Sequence, residues 1–147
     1  MGSLTVPSSG LVYFDTNPVI YSVEKNPAYW PLLEPVWQAA KPGRVEIVSS
    51  ELTLMETLVG PLKSGDSALA QAYEQLFQQA QTRLLPMTQP ILREAARLRA
   101  TTKLRSVDAL HLATAQLAGC ALFVTNDVAF RGAAAIAVVI LDDLLKP

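Results

Sequence analysis

The sequence is poor in cysteine, histidine and charged residues. One cysteine and one histidine exclude an intrachain disulfide bond and a zinc site built from several such residues. Only 17% of the residues are charged, against about 25% in a typical domain. Because the formal net charge is −1, a generally basic surface is also excluded. Nucleic-acid binding would therefore have to depend on a local patch of basic residues.

Long hydrophobic segments are also missing. The longest apolar run, residues 133–141, falls well short of the roughly 20 residues that span a bilayer. We therefore expect a soluble, cytoplasmic protein. Half of the residues are nevertheless hydrophobic, which disordered chains are not, and 147 residues suit one domain with a real core. We expect residues 1–10 to form a flexible leader and residues 11–147 to form a single domain.

Short apolar segments alternate with segments of helical periodicity. The tetrapeptide DTNP at residues 15–18 has the composition of a turn, and Ser106 is a candidate cap for a helix that ends near Gly119. The predicted strands are residues 11–14, 45–48, 83–85, 121–124 and 138–141. The predicted helices are residues 29–40, from 51 onward, 66–81, 88–102 and 106–118. This alternation predicts an α/β protein with a parallel sheet that is covered by helices on both faces.

Four carboxylates adjoin these apolar segments. Asp15 directly follows the first predicted strand, and Asp127 follows the fourth. Asp108 lies in the first turn of a helix, and Glu56 lies one to two turns into the helix after the second strand. Ligands of open α/β sheets bind at the carboxyl ends of the strands, which is the edge that Asp15 and Asp127 occupy.

Each carboxylate also has an ordinary structural explanation. An aspartate after a strand is often a turn or cap residue, Asp108 suits the helix dipole, and Glu56 alone is typical of a solvated helix face. Together, however, four carboxylates at one sheet edge would repel one another without a cation among them. Clustered oxygens suit Mg²⁺ or Mn²⁺. Glu51 competes with Glu56, because at about 100° per residue the two face directions roughly 140° apart; geometry alone leaves this choice open.

Five of the twelve basic residues lie between positions 93 and 105. This segment is either a solvated helix face or a ridge that contacts RNA phosphates. The candidate RNA-binding residues are Arg93, Arg97, Lys103 and Arg105. His111 could reach the acidic site from the same helix as Asp108, but a lone helical histidine is more often structural.

The acidic segments, in this order, resemble the signatures of PIN-domain nucleases. The segments that carry the resemblance are LVYFDTN (residues 11–17), SELTLME (50–56), DALHLATA (108–115) and LFVTNDVAF (122–130). Of these, DALHLATA is the most specific. The size and the single-domain organisation are most similar to VapC-type toxins of bacterial and archaeal toxin–antitoxin pairs.

The resemblance implies a metal-dependent endoribonuclease that a small antitoxin protein inhibits. It implies a PIN-like three-layer α/β/α sandwich with a five-stranded, mainly parallel sheet, usually paired as a homodimer, and a Mg²⁺ or Mn²⁺ cofactor. Pro18 departs from the family pattern, in which an aliphatic residue is common, and we expect it to shift the first acidic turn. The alternative function is a catalytically silent PIN-like scaffold that binds RNA or protein.

The resemblance also assigns roles to individual residues. Either Asp15 or Asp108 would take the proton from an attacking water, and the sequence does not choose between them. The catalytic, metal-binding acids would be Asp15, Glu56, Asp108 and Asp127, with Glu56 favoured over Glu51. The residues that support these acids or position the substrate would be Thr16, Asn17, Thr125 and Asn126.

Overall fold

A computed structural model describes residues 2–133 and 135–147 of the chain. Within these residues, five parallel strands form one sheet in the order β3-β2-β1-β4-β5, which confirms the predicted fold class. The elements, in chain order, are β1 (Leu11–Phe14), α1 (Thr16–Glu24), α2 (Trp30–Ala40), β2 (Glu46–Ser50), α3 (Glu51–Ser64), α4 (Ser67–Leu76), β3 (Thr82–Leu85), α5 (Gln89–Thr101), α6 (Ser106–Leu117), β4 (Leu122–Thr125), a 3₁₀ turn (Val128–Phe130), β5 (Val138–Ile140) and α7 (Leu141–Leu145).

The strand order changes direction at the centre of the sheet. β1 pairs with β2 on one side, where Val12 lies opposite Ile47, and with β4 on the other, where Val12 lies opposite Leu122. The chain therefore runs outward from β1 to β3 and then returns to the opposite side of β1. The carboxyl ends of β1 and β4 form the topological switch point, which is where ligands of open α/β sheets bind.

The sheet separates two hydrophobic cores. Side chains that alternate along β1 enter opposite cores, because successive residues of a strand point to opposite faces. Val12 and Phe14 belong to the core that includes buried residues of α2 and α4. Tyr13 belongs to the core under α5 and α6, where its ring stacks on Phe123 with centroids 5.1 Å apart.

The turn predicted at residues 15–18 is wrong, because the helix α1 begins there. Asp15 has an extended backbone at the N-cap (φ −76°, ψ −168°), and the helix begins at the next residue. Pro18 lies in the first helical turn and is buried; proline is tolerated there because the first backbone N–H groups of a helix have no partner within it. The residues typical of a turn therefore form a helix start that is joined directly to β1.

Three other helix boundaries also differ from the sequence predictions. Ser106 is the first residue of α6 rather than its cap, and Arg105 is the N-cap residue. The helix α4 ends at Leu76 instead of residue 81, and the hydroxyl group of Thr82 donates to the carbonyl of Leu76 (3.0 Å). The last predicted strand, residues 138–141, is shorter in the structure: β5 ends at Ile140, and Leu141 begins α7, whose first turn holds Asp142 and Asp143, where the helix dipole favours carboxylates.

The segment before β1 makes specific contacts with the rest of the domain. Gly2 donates its backbone N–H to the carbonyl of Leu144 (2.8 Å), and Leu4 is buried in the same core as Val12. The flexibility of this leader stays a prediction. Among the described residues, no helix combines the length and the apolar character that a membrane span needs.

Candidate functional site

The carboxyl ends of β1 and β4 open into a cleft of about 190 Å³. Four elements supply its walls: the start of α1, the second turn of α3, the first turns of α6 and the segment after β4. The cleft brings all four predicted acids together. The lining residues are Asp15, Thr16, Asn17, Glu56, Arg105, Val107, Asp108, His111 and Asp127.

Asp15 is the most buried of the four carboxylates. Its Oδ2 accepts a hydrogen bond from Thr125 Oγ1 (2.5 Å). Its Oδ1 is the one buried side-chain nitrogen or oxygen in the described residues that has no hydrogen-bond partner. Burial raises the pKa of Asp15 to about 7, and the nearby Asp127 and Asp108 act in the same direction against His111 and Thr125. This carboxylate therefore has a free acceptor atom, Oδ1.

Glu56 is held at the opposite wall by two hydrogen bonds. Its Oε1 accepts from Thr16 Oγ1 (2.5 Å) and contacts His111 Nε2 at 2.8 Å. Burial alone would raise the pKa of Glu56, but the bonds from His111 and Thr16 outweigh it, so that the pKa is lowered. Glu51 is exposed and outside the cleft, and it accepts from the backbone N–H of Met87 (3.2 Å). The fold thus places Glu56, and not Glu51, beside the other acids.

His111 connects Glu56 to the buried residue Tyr13. The Tyr13 hydroxyl lies 2.6 Å from His111 Nδ1. Burial raises the pKa of Tyr13 well above its ordinary value, so this hydroxyl keeps its proton. The imidazole therefore contacts Tyr13 through one ring nitrogen and Glu56 through the other. Sequence reasoning favoured a structural role for His111; its spacing of one helical turn after Asp108 was the signal for a place in the cleft.

Arg105 bridges the remaining two carboxylates. Its Nε lies 3.2 Å from Asp108 Oδ2, and its Nη2 lies 3.6 Å from Asp127 Oδ2. The side chain of Asp108 is 8% exposed, whereas that of Arg105 is 80% exposed. Asp127 also accepts from the backbone N–H of Ala129 (2.9 Å), as the cap of the 3₁₀ turn. Arg105 is therefore a cation at the mouth of the acidic cleft.

The four predicted supporting residues do not all face the cleft. Thr16 and Asn17 line it, and Thr125 lies behind Asp15. Asn126 instead bonds away from the cleft: its Nδ2 donates to the Tyr21 hydroxyl (3.2 Å), and its Oδ1 accepts from the backbone of Asp142 (2.8 Å). Asn126 thus connects the end of β4 to α1 and α7.

Of the four predicted RNA-binding residues, Arg105 lines the cleft. Arg93, Arg97 and Lys103 are exposed and are not among the lining residues. Arg97 is paired with Glu94 on α5. The basic segment is therefore a solvent-facing surface that reaches the cleft at Arg105.

The residues of the cleft suit a hard divalent cation. They offer carboxylate oxygens, which Mg²⁺ and Mn²⁺ prefer, and the unpartnered Asp15 Oδ1 is an available ligand atom. Across residues 2–133 and 135–147, no group of three or more His, Cys, Asp or Glu side chains is already arranged to hold a metal ion. Two of the four acids are instead paired with Arg105.

Comparison with protein-family models identifies one match, described as the PIN domain, over residues 12–136. No curated protein sequence matches the chain. Among solved structures, a toxin–antitoxin complex from Klebsiella pneumoniae is similar with a TM-score of 0.66 and 28% identity, over 87% of this chain and 95% of that chain.

Two further solved structures share the fold at lower identity. VapBC2 from Rickettsia felis, bound to a DNA fragment from its promoter, has a TM-score of 0.69 and 19% identity over 88% of this chain and 97% of that chain. DNA-bound VapBC from Salmonella typhimurium has a TM-score of 0.69 and 20% identity over 87% and 96% of the two chains.

Proposed function

Because the chain belongs to the PIN-domain family, we propose that it is a metal-dependent endoribonuclease that hydrolyses RNA phosphodiester bonds and is inhibited by a cognate antitoxin. The observation that carries this proposal is the meeting of four carboxylates in one cleft at the switch point of the sheet. A separate structural explanation for each acid does not account for their closeness, because carboxylates that lie close together repel one another.

The proposed metal ligands are Asp15, Glu56, Asp108 and Asp127. The chemistry that a bound Mg²⁺ or Mn²⁺ ion would supply is charge neutralisation at the phosphodiester and activation of the attacking water. Glu56 is fixed by Thr16 and His111, so little reorientation is needed for it to serve as a ligand. Asp15 Oδ1, which has no hydrogen-bond partner, is available as a ligand atom, and either Asp15 or Asp108 would take the proton from the attacking water. Hydrolysis with water as the nucleophile leaves a 5′-phosphate and a 3′-hydroxyl group.

The same proposal includes partners. The similarity to a chain of the Klebsiella pneumoniae toxin–antitoxin complex, over nearly its whole length, supports a small antitoxin protein as the inhibitor. We further propose a homodimer that acts on RNA in the cytoplasm.

The test is a cleavage assay with the purified chain, freed of any partner. Structured RNAs are incubated with Mg²⁺ or Mn²⁺ and, in parallel, with a chelator, for the native chain and for Asp15→Asn and Asp108→Asn. We expect cleavage only with the metal and the native chain, with rates at least about 100-fold lower in either variant. Asp66→Asn is the matched control, since Asp66 caps α4 outside the cleft and asparagine also caps helices.

Two results would contradict the proposal in different ways. Cleavage that persists in the chelator, or in both cleft variants, would exclude the metal mechanism. Tight RNA or protein binding by the native chain without cleavage under any condition would favour the silent scaffold instead.

A further inference from the structure

We infer that Arg105 is an internal counter-cation of the cleft, which a divalent metal ion must displace and which is then free to bind an RNA phosphate. This inference rests on the proposed function, because it concerns the same carboxylates. It adds a role that the sequence did not indicate: competition between a side chain of the protein and its metal.

The first argument is the position of the guanidinium group. It contacts Asp108 and Asp127 at once, and these two acids belong to different elements, α6 and the segment after β4. Arg105 therefore carries a positive charge between Asp108 and Asp127, and this charge offsets the mutual repulsion of these two acids.

The second argument is that Arg105 is easily displaced. Its side chain is 80% exposed, and each carboxylate receives a single contact rather than the paired, bidentate contact that makes arginine bind firmly. Exposed ion pairs of this kind add little net stability. The residue is also the N-cap of α6, with extended backbone (φ −71°, ψ 167°), so that the side chain can swing into solvent without unwinding the helix.

The third argument is the charge balance. A divalent ion brings two positive charges to the oxygens of Asp108 and Asp127, whereas Arg105 brings one. Two cations at the same oxygens repel each other. Metal binding therefore releases Arg105 at the mouth of the cleft. The planar guanidinium group suits a phosphate, so that the displaced side chain gains a new partner when RNA is present.

The experiment measures Mn²⁺ binding by calorimetry, without RNA, for the native chain, Arg105→Gln and Arg105→Lys. Arg131→Gln is the matched control, because Arg131 pairs with Asp143 at 2.8 Å outside the cleft. We expect Arg105→Gln to bind Mn²⁺ about three- to tenfold more tightly than the native chain. We expect the difference to shrink with added salt. Arg105→Lys, which keeps the charge, and Arg131→Gln should both bind within about twofold of the native chain.

Asp108→Asn identifies binding in the cleft, and circular dichroism checks that each variant is folded. If the native chain and Arg105→Gln bind Mn²⁺ equally, and Asp108→Asn abolishes this binding, the role of Arg105 is overturned while the proposed function stands. If neither chain shows binding that Asp108→Asn removes, the proposed metal site is overturned, and the inference with it. The inference would also be overturned if Arg105→Lys bound Mn²⁺ as tightly as Arg105→Gln does, because the lysine variant keeps the positive charge and the glutamine variant removes it.

Discussion

His111 Nε2 lies 2.8 Å from Glu56 Oε1 and thereby joins α6 to α3 across the cleft. The other nitrogen of the ring, Nδ1, is 2.6 Å from the hydroxyl of Tyr13 on β1. Three elements therefore meet in one hydrogen-bonded chain that ends on a proposed metal ligand. Groups that orient a metal ligand in this way affect metal affinity or activity by about 10- to 100-fold when they are removed.

Tyr13→Phe tests this chain with little change of volume. The variant keeps the aromatic stacking on Phe123 but removes the hydroxyl that contacts His111 Nδ1, so the imidazole is held less firmly beside Glu56. We expect the RNA cleavage rate to fall by about tenfold, with kcat affected more than KM. The free energy of unfolding should fall by about 1–2 kcal/mol, because a buried polar atom of His111 has lost its hydrogen-bond partner.

Tyr73→Phe is the matched control for Tyr13→Phe. Tyr73 is also a buried tyrosine, and it donates to Glu24 outside the cleft. We expect a similar loss of stability without a loss of activity. Equal activity in the two variants would show that the bond between Tyr13 and His111 serves the fold alone.

Glu56→Gln and Glu51→Gln form a second matched pair on the same helix. Glu56 lines the cleft, whereas Glu51 accepts a bond from Met87 outside it. We expect Glu56→Gln to lower the cleavage rate by at least about 100-fold through loss of a ligand charge. Glu51→Gln should stay within about twofold of the native rate. Comparable losses in both variants would mean that general destabilisation, and not the site, is being measured.

Asp15 makes the stability of the metal-free protein depend on pH. An unfolded Asp15 loses its proton near the ordinary value of 3.8, whereas the folded one keeps it until about pH 7. The folded state therefore binds more protons between these values, so the free energy of unfolding falls as the pH rises through this window. Each pKa unit corresponds to about 1.36 kcal/mol, so the shift of Asp15 from 3.8 to about 7 gives a contribution of at most roughly 4 kcal/mol.

Asp15→Asn should remove this fall and stabilise the protein above pH 7, as measured by urea unfolding in a chelating buffer. The control, Asp66→Asn, alters an exposed carboxylate at a helix cap and should keep the native pH dependence. A native slope that Asp15→Asn leaves intact would assign the titration to another group.

The salt dependence of RNA binding can show which basic residues contact RNA phosphates. Each phosphate contact to a single strand contributes about 0.7 to the slope of log K against log salt. In the presence of Mn²⁺, which by the inference above frees Arg105 from Asp108 and Asp127, we expect Arg105→Ala and Lys103→Ala each to weaken binding and to reduce the slope by about one contact. Arg97→Ala should change the slope less, because Arg97 is already paired with Glu94. An unchanged slope in Arg105→Ala and Lys103→Ala would remove this surface from the proposed RNA site.

The sequence alone determined the fold class and the candidate acids. Alternating strands and helices indicate a parallel sheet, in which the carboxyl ends of all strands lie at one edge. Residues that directly follow β1 and β4 therefore lie at the same edge, however the helices pack. Asp15 and Asp127 could be placed for this reason. The sequence predicted turns and helix caps less accurately. The DTNP segment has residues that are common both in turns and at helix starts, and in the structure it begins the helix α1 directly after β1.

Tertiary structure decided which side chains meet in the cleft. The bond between His111 and Glu56 joins residues that are 55 positions apart, and the bond between His111 and Tyr13 joins residues 98 positions apart. Contacts of this kind depend on how α3 and α6 rotate against the sheet, which local periodicity does not specify. The same rotation brings Glu56, and not Glu51, into the cleft, and the packing of the segment after β4 against α6 places Arg105 between Asp108 and Asp127.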